Sequence, residues 1–514
     1  MSDVDATKYS YGDLDRRGKF FGLHLPQFVL AWVVLFSLIP MLHAGSAATV
    51  VWLVLLDAAL VYVAFGRVLD RGMWEWAPVL AGRAFQMMMG ESVLRGGPRA
   101  DRANETNPIL NGYAGTLRWT RLDDGRGSAV GVVYNPKEKS YAATLRVRAG
   151  SFSLLDSGTQ DARVDGWGRL MAGLTTYNSR LIRMVVHERT IPDSGDAVQR
   201  HFDHTLEMVE GTGGASLDKR RRQVVGAYQS LINEVAPSAQ RHESFITLVM
   251  SAKKAAKDIK RSGGGEAGAL AVLFQELRAF ETSVKRIGLI SEGWLNPREL
   301  AAVVRTQYDP ASVEIIDQRG RGELASLISG RQVEMAAGVD PSAAGPVAGR
   351  AANDHYQTDS AYSRVFWCSG LPRIGMEAAF HSPMILETTY RRTMTMILEP
   401  VPSRKAEAQL NRKQLREGGD QLIRDKFGKA TTMRDEQAGT ETERKLAELL
   451  AGHGYMRMVL LVAVSADDIE GLEEATGEIQ TLANLSRLDL RTLYAQQSAA
   501  FAATCLPLGL GVAA

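Results

Sequence analysis

Metal or nucleophile chemistry in this 514-residue chain would have to come from nine histidines, two cysteines and a few close carboxylates. His201 and His204, in HFDHTLE, have a spacing that would put two imidazoles on one helix face for a metal. No third ligand of the HExxH kind lies nearby, so the pair reads as surface loop. Asp193 and Asp196, in IPDSGDA, resemble an acid/base couple, but such work needs converging, perturbed carboxyls, and helix capping by Asp193 or Ser194 is the simpler role. Cys368 and Cys505 stand far apart, outside any CxxC, Cys/His or nucleophile pattern, which excludes a zinc ribbon and argues against a disulfide framework. A phosphate loop needs GxxxxGK followed by Ser or Thr. The two GK pairs, Gly18 with Lys19 and Gly428 with Lys429, continue with Phe and Ala, and Gly263, Gly264 and Gly265 lack the lysine. The basic run Lys219 to Arg222 opens a predicted helix and reads as a solvated face. No catalytic residue, metal ligand or cofactor site is assigned.

The elements that would hold any site start with two apolar runs. Residues 28–42 contain one polar residue, Ser37, and residues 47–65 form a second run, joined to the first by His43, Ala44, Gly45 and Ser46. A span takes about 20 residues at 1.5 Å rise each, so the pair predicts an antiparallel transmembrane hairpin over 25–66. Arg16, Arg17 and Lys19 precede it, Arg67, Arg71 and Arg83 follow it, and the turn carries no Lys or Arg. The positive-inside rule then places both termini in the cytoplasm. Asp57, near the middle of the second run, is a membrane or partner contact candidate, because a carboxylate there needs protonation, pairing or a neighbouring helix. Trp74 and Trp76 are the other two candidates, on an interfacial helix expected over 72–90.

Beyond the hairpin the chain reads as α+β, in cytosolic ferredoxin-like or α+β sandwich domains. The expected organisation is a cytoplasmic tail 1–24, the hairpin 25–66, a juxtamembrane segment 67–114 and a first α+β unit 115–210. A second unit 211–308, a linker 309–360 and a C-terminal unit 361–514 complete it. Strands are expected at 129–134, 141–147, 181–187, 243–250, 365–367, 393–399, 456–464 and around Leu488 and Leu490. Helices are expected at 160–174, 217–235, 267–287, 295–306, 403–426, 435–452 and 467–485, with Asn296 as a cap and Pro297 in its first turn. Alternating β and α in the last unit fits a ferredoxin-like half. With 60 basic and 58 acidic residues, no charge excess calls for nucleic acid, and direct nucleic-acid binding is not expected.

Longer motifs carry a resemblance. YSYGDLDRRG, WGRLMAGL, RTIPDSGDA, LNPRELAAVVRTQYDP, GPVAGRAANDHYQTDSA and SRLDLRTLYAQQSAAFAATCLPLG resemble an actinobacterial family of integral membrane proteins associated with conjugation or type IV secretion-like systems. The hairpin is similar to PrgI-type membrane subunits, and the rest to the N-terminal, non-motor domain of the conjugative transfer ATPase. The resemblance implies a non-enzymatic inner-membrane scaffold that docks a separate transfer ATPase or coupling protein beside other secretion-apparatus subunits, in an oligomeric assembly on the lipid bilayer. It carries over no catalytic residues. A peripheral subunit of a type VII-like system is the alternative, and a membrane-bound hydrolase the alternative of another class.

Overall fold

The computed structural model describes residues 25–43, 46–69, 71–88, 90, 93–95, 107–123, 129–148, 150, 155–176, 178–192, 202, 205–206, 219–235, 240–319, 337–371, 380–387, 389–426, 433–450, 452 and 454–511. Two apolar helices come first, α1 (Leu25–Leu42) and α2 (Ala47–Phe65). Ser46 caps α2 by accepting from the Thr49 amide, and the short connection folds the helices back on each other. Gln27, near the start of α1, therefore donates to the Ala64 carbonyl at the end of α2 (2.9 Å). A small ladder of β1 (Arg67–Val68) with β2 (Arg71–Gly72) leads to α3 (Met73–Met88). Arg83 of α3 donates to the Ala351 carbonyl (2.6 Å), which ties this helix to the body.

The body runs through β3 (Val93–Arg95), β4 (Arg118–Asp123), β5 (Ala129–Asn135), β6 (Ser140–Arg148), α4 (Ser157–Leu174), β7 (Leu181–Pro192), α5 (Lys219–Val235) and β8 (Gln240–Ser251). Then come α6 (Ala256–Arg261), α7 (Gly265–Arg286), β9 (Ile290–Trp294), α8 (Pro297–Tyr308), β10 (Ala348–Ala351), β11 (Tyr356–Gln357) and β12 (Tyr362–Gly370). The last elements are α9 (Ser382–Leu386), β13 (Arg391–Pro400), α10 (Ser403–Lys426), α11 (Met433–Leu450), β14 (Met456–Ala466), α12 (Ile469–Leu485), β15 (Asp489–Thr492) and α13 (Gln497–Cys505). The expected Asn296 cap is present as a full capping box: its side chain accepts from the Arg298 and Glu299 amides while Glu299 accepts from the Asn296 amide.

Among the described residues, thirteen strands join in one sheet, ordered β3-β10-β11-β12-β14-β13-β7-β8-β6-β5-β4, with β15 also on β12 and β9 also on β6. Every pairing is antiparallel. The same strand plan occurs twice. In β6-α4-β7-β8-α7-β9 and again in β12-α9-β13-β14-α12-β15, the first strand lies between the third and the fourth, and the second occupies the inner edge. The two inner edges, β7 and β13, then pair with each other from Met184↔Leu398 to Thr190↔Arg392. The α+β class expected from the sequence is the architecture seen. The strands expected in three units belong to one continuous sheet rather than to separate sandwiches, because each half leaves an edge strand whose amides need a partner.

Alternation along the strands assigns the faces. Val185, Phe245, Val249, Ile397 and Leu461 project to one side and form a core with Leu300 and Val304 of α8 and Phe501 of α13. Met184, Ile246, Leu248 and Leu145 project to the other side against Leu273 and Leu277 of α7, while Val462 and Val464 meet Leu472 and Ile479 of α12. Each fully buried aliphatic or aromatic side chain contributes about 1.5–3 kcal/mol relative to exposure, so both layers hold the sheet.

One expectation needs correction. Residues 309–360 do not form a linker throughout: within them, β10 and β11 continue the sheet. Their carrier loop is held by the Asp359 carboxylate, which accepts from the Val347 and Ala348 amides (3.0 and 2.7 Å) and pairs with Arg305 (2.9 Å). Strands of four and two residues are too short to display a period, which is why the Gly- and Ala-rich sequence reads as loop.

Candidate functional site

The helix pair presents an apolar exterior. Trp52 is 74% exposed and Phe36 59%, with Leu35, Ile39, Val51 and Leu55 also exposed. α2 is long and apolar enough to cross a membrane, with a mean hydropathy of 2.2. Asp57 faces α1, where the Ser37 hydroxyl donates to its Oδ1 (2.6 Å). The carboxylate expected to contact neighbouring subunits thus has a partner within its own chain. Of the two tryptophans on α3, Trp76 donates its indole N–H to the Val68 carbonyl (3.1 Å) and lies under the Arg71 guanidinium (5.8 Å to the ring centre), while Trp74 packs beside Gly72.

Asp193, Asp196, His201, His204, Lys19 and Lys429 lie outside the described residues. Among the described residues, no group of three or more His, Cys, Asp or Glu is placed to hold a metal. Gly263, Gly264 and Gly265 form the turn between α6 and α7 with φ of +98°, +72° and +61°, a backbone role that glycine permits. Arg220 of the basic run is exposed at the start of α5. Both cysteines are free and buried, and burial pushes the Cys505 thiol up to about 12, which removes it as a nucleophile.

What the sequence reading missed is a polar column under α13. α13 and residues 506–510 are buried against the sheet. Irregular backbone can be buried only if its carbonyls find donors. Thr395 (2.5 Å) and the His187 ring (3.1 Å) reach the Thr504 carbonyl, Thr144 reaches that of Pro507 (2.8 Å) and Arg183 that of Gly509 (3.0 Å). Arg183 is itself clamped by Glu138 (2.9 Å) and Glu399 (3.0 Å). Burial drives the His187 imidazole down to about 4, so it stays neutral and donates from Nδ1. On the opposite face of β7, Glu188 accepts from Ser244 (2.5 Å), 3.7 Å from His242, and burial raises its carboxyl to about 7.

A cleft of about 920 Å³ opens where β5 and β9 part company. Both strands use the same edge of β6, β5 at Ser140–Ala143 and β9 at Leu145–Arg148, so they diverge like the arms of a fork. Gly131 closes the apex by donating to the Leu295 carbonyl (2.8 Å); a Cβ there would meet the Pro297 nitrogen at 3.1 Å. Trp119, Phe274, Trp294, Arg146 and Arg278 line the walls. Burial dominates the Glu281 environment, yet Lys285 (2.7 Å), Ser291 (3.1 Å) and Trp294 (3.3 Å) hold this wall carboxyl below its usual range. The sequence signal for this site is faint, since its lining comes from six separate segments.

Comparison with protein-family models and with curated proteins finds no match to this chain.

Proposed function

We propose that this protein is a non-enzymatic scaffold of the inner membrane, in which α1 and α2 form a two-span hairpin and the α+β body docks a separate transfer ATPase or coupling protein of a conjugative, type IV secretion-like apparatus. The observation that carries the reading is the helix pair: exposed apolar side chains outside, and a single carboxylate, Asp57, turned inward onto Ser37. In water such a surface costs free energy; in lipid it costs nothing, and the internal hydrogen bond lowers the cost of Asp57. Trp74 and Trp76 on α3 suit headgroup depth, with the termini on the cytoplasmic side of the membrane by the arginine and lysine distribution. The repeated split strand plan supports a ferredoxin-like reading of both halves, a plan whose edges and helical insertions suit packing against other subunits.

Deletion of residues 25–66 tests the anchor and the dock together. Full-length chain is expected in the membrane fraction with a co-purifying ATPase, and the deletion is expected to shift both to the soluble fraction. An ATPase that reaches the membrane equally well without the hairpin would remove the docking role, and a full-length chain extracted by carbonate would remove the anchor.

A further inference from the structure

We propose that the fork between β5 and β9 is a docking cleft for an extended, acidic peptide segment of a partner protein, a site that stands whether or not the hairpin crosses a membrane. Free groups in the walls are unevenly balanced. The carboxylates in the walls are already engaged: Glu281 with Lys285, Glu292 with Arg148 (3.1 Å), Glu299 with the Asn296 amide (2.8 Å) and Asp340 with the Ser342 amide (2.9 Å). The donors are not. Trp119 is 8% exposed and its indole N–H is buried without a partner, as is the Nε of Arg146, whose guanidinium lies over Phe245 (5.6 Å). Arg278 rests over the Phe274 ring (5.7 Å) and makes no ion pair with a described residue. A buried donor left unpaired costs about 1–3 kcal/mol, so an occupant rich in acceptors would recover that loss. Carboxylates supply them in the form guanidinium groups bind most strongly.

The shape of the cleft suits an extended chain. Ladder pairing of β5 with β6 runs only from Val132 to Asn135, and beyond it Ala129 and Val130 have β4 on one side and the fork on the other. β9 has β6 on one side and, among the described residues, no strand on its other side. Two unpaired strand edges facing an open cleft accept the main chain of an extended peptide, whose alternate side chains would then reach Arg146 on the Phe245 face and Arg278 and Trp294 on the α7 face. A compact small molecule is the poorer fit, because such ligands seek mostly enclosed apolar pockets.

The test uses the full chain in detergent micelles and a fluorescein-labelled peptide of about eight residues alternating Glu and Val, read by anisotropy, with a Lys and Val peptide beside it. Saturable binding of the acidic peptide alone is expected, weakened about tenfold by Arg278→Glu and by raised salt. Arg278 is exposed, so this variant should melt like the parent; Arg146→Gln is the second variant and should weaken binding in the same direction. Equal binding of both peptides, no saturable binding, or unchanged affinity in both variants would overturn the proposal. So would full displacement by inorganic phosphate at the peptide's own concentration, which would assign the cleft to a small anion.

Discussion

Two neighbouring residues on β7, an acid and a base, shift in opposite senses because burial disfavours the charged form of each. Burial raises Glu188 from 4.5 to about 7, so between those values the folded chain holds a proton that the unfolded chain releases, and stability falls as pH rises. Burial lowers His187 from 6.5 to about 4, so between those values the unfolded chain binds a proton that the folded chain refuses, and stability climbs as pH rises. The two slopes partly cancel around pH 5 to 6. Glu188→Gln removes one of them. Its melting temperature is expected to rise with pH more steeply than that of the parent across the His187 window, and to exceed the parent's above pH 7. Parallel melting curves across pH would mean that Glu188 is not held as a buried carboxyl.

At the scale of elements, α13 and residues 506–510 behave as a wedge that crosses from one half of the sheet to the other. Gly509 is where the wedge is tightest: its φ is +71°, and a Cβ would stand 2.7 Å from the Val249 side chain and 2.8 Å from that of Ala142. Gly264 has a similar φ of +72° but open space around it. Gly264→Ala should therefore cost only a backbone penalty of about 1–3 kcal/mol, since φ of +72° with ψ of 179° is a conformation essentially reserved for glycine. Gly509→Ala should add overpacking of about 1–3 kcal/mol. Thermal melts of the two variants check this directly, with the larger loss expected at Gly509; equal losses would mean that the wedge is not seated on β6 and β8.

For the whole molecule, the β7 with β13 seam and the wedge make each half depend on the other. Pieces spanning 1–319 and 337–514, co-expressed with a tag on one, are expected to co-purify, because the seam pairs Met184 through Thr190 with Leu398 through Arg392 and the wedge buries Leu506, Leu508 and Leu510. The second piece alone would expose those leucines and is expected to aggregate on size-exclusion chromatography. Two pieces that stay soluble and separate would show that the halves are independent domains.

Local signals carried most of the elements. The period of β8, the Asn296 capping box and the long apolar face of α7 are properties of a few consecutive residues, so the sequence by itself determined where those elements lie. The α+β class followed from the same signals. Partner choice belongs to the tertiary structure alone. Nothing in residues 181–192 says that β7 will pair with a strand two hundred residues away, and nothing in the LPLG segment says that its carbonyls will be met by Thr144 and Arg183. The fork is likewise invisible along the chain, since Trp119, Arg146, Arg278 and Trp294 converge only when two strands share one edge of β6. Edge pairing and buried carbonyls are satisfied by whichever groups the assembled sheet brings within reach, and that is decided by the packing of the whole chain.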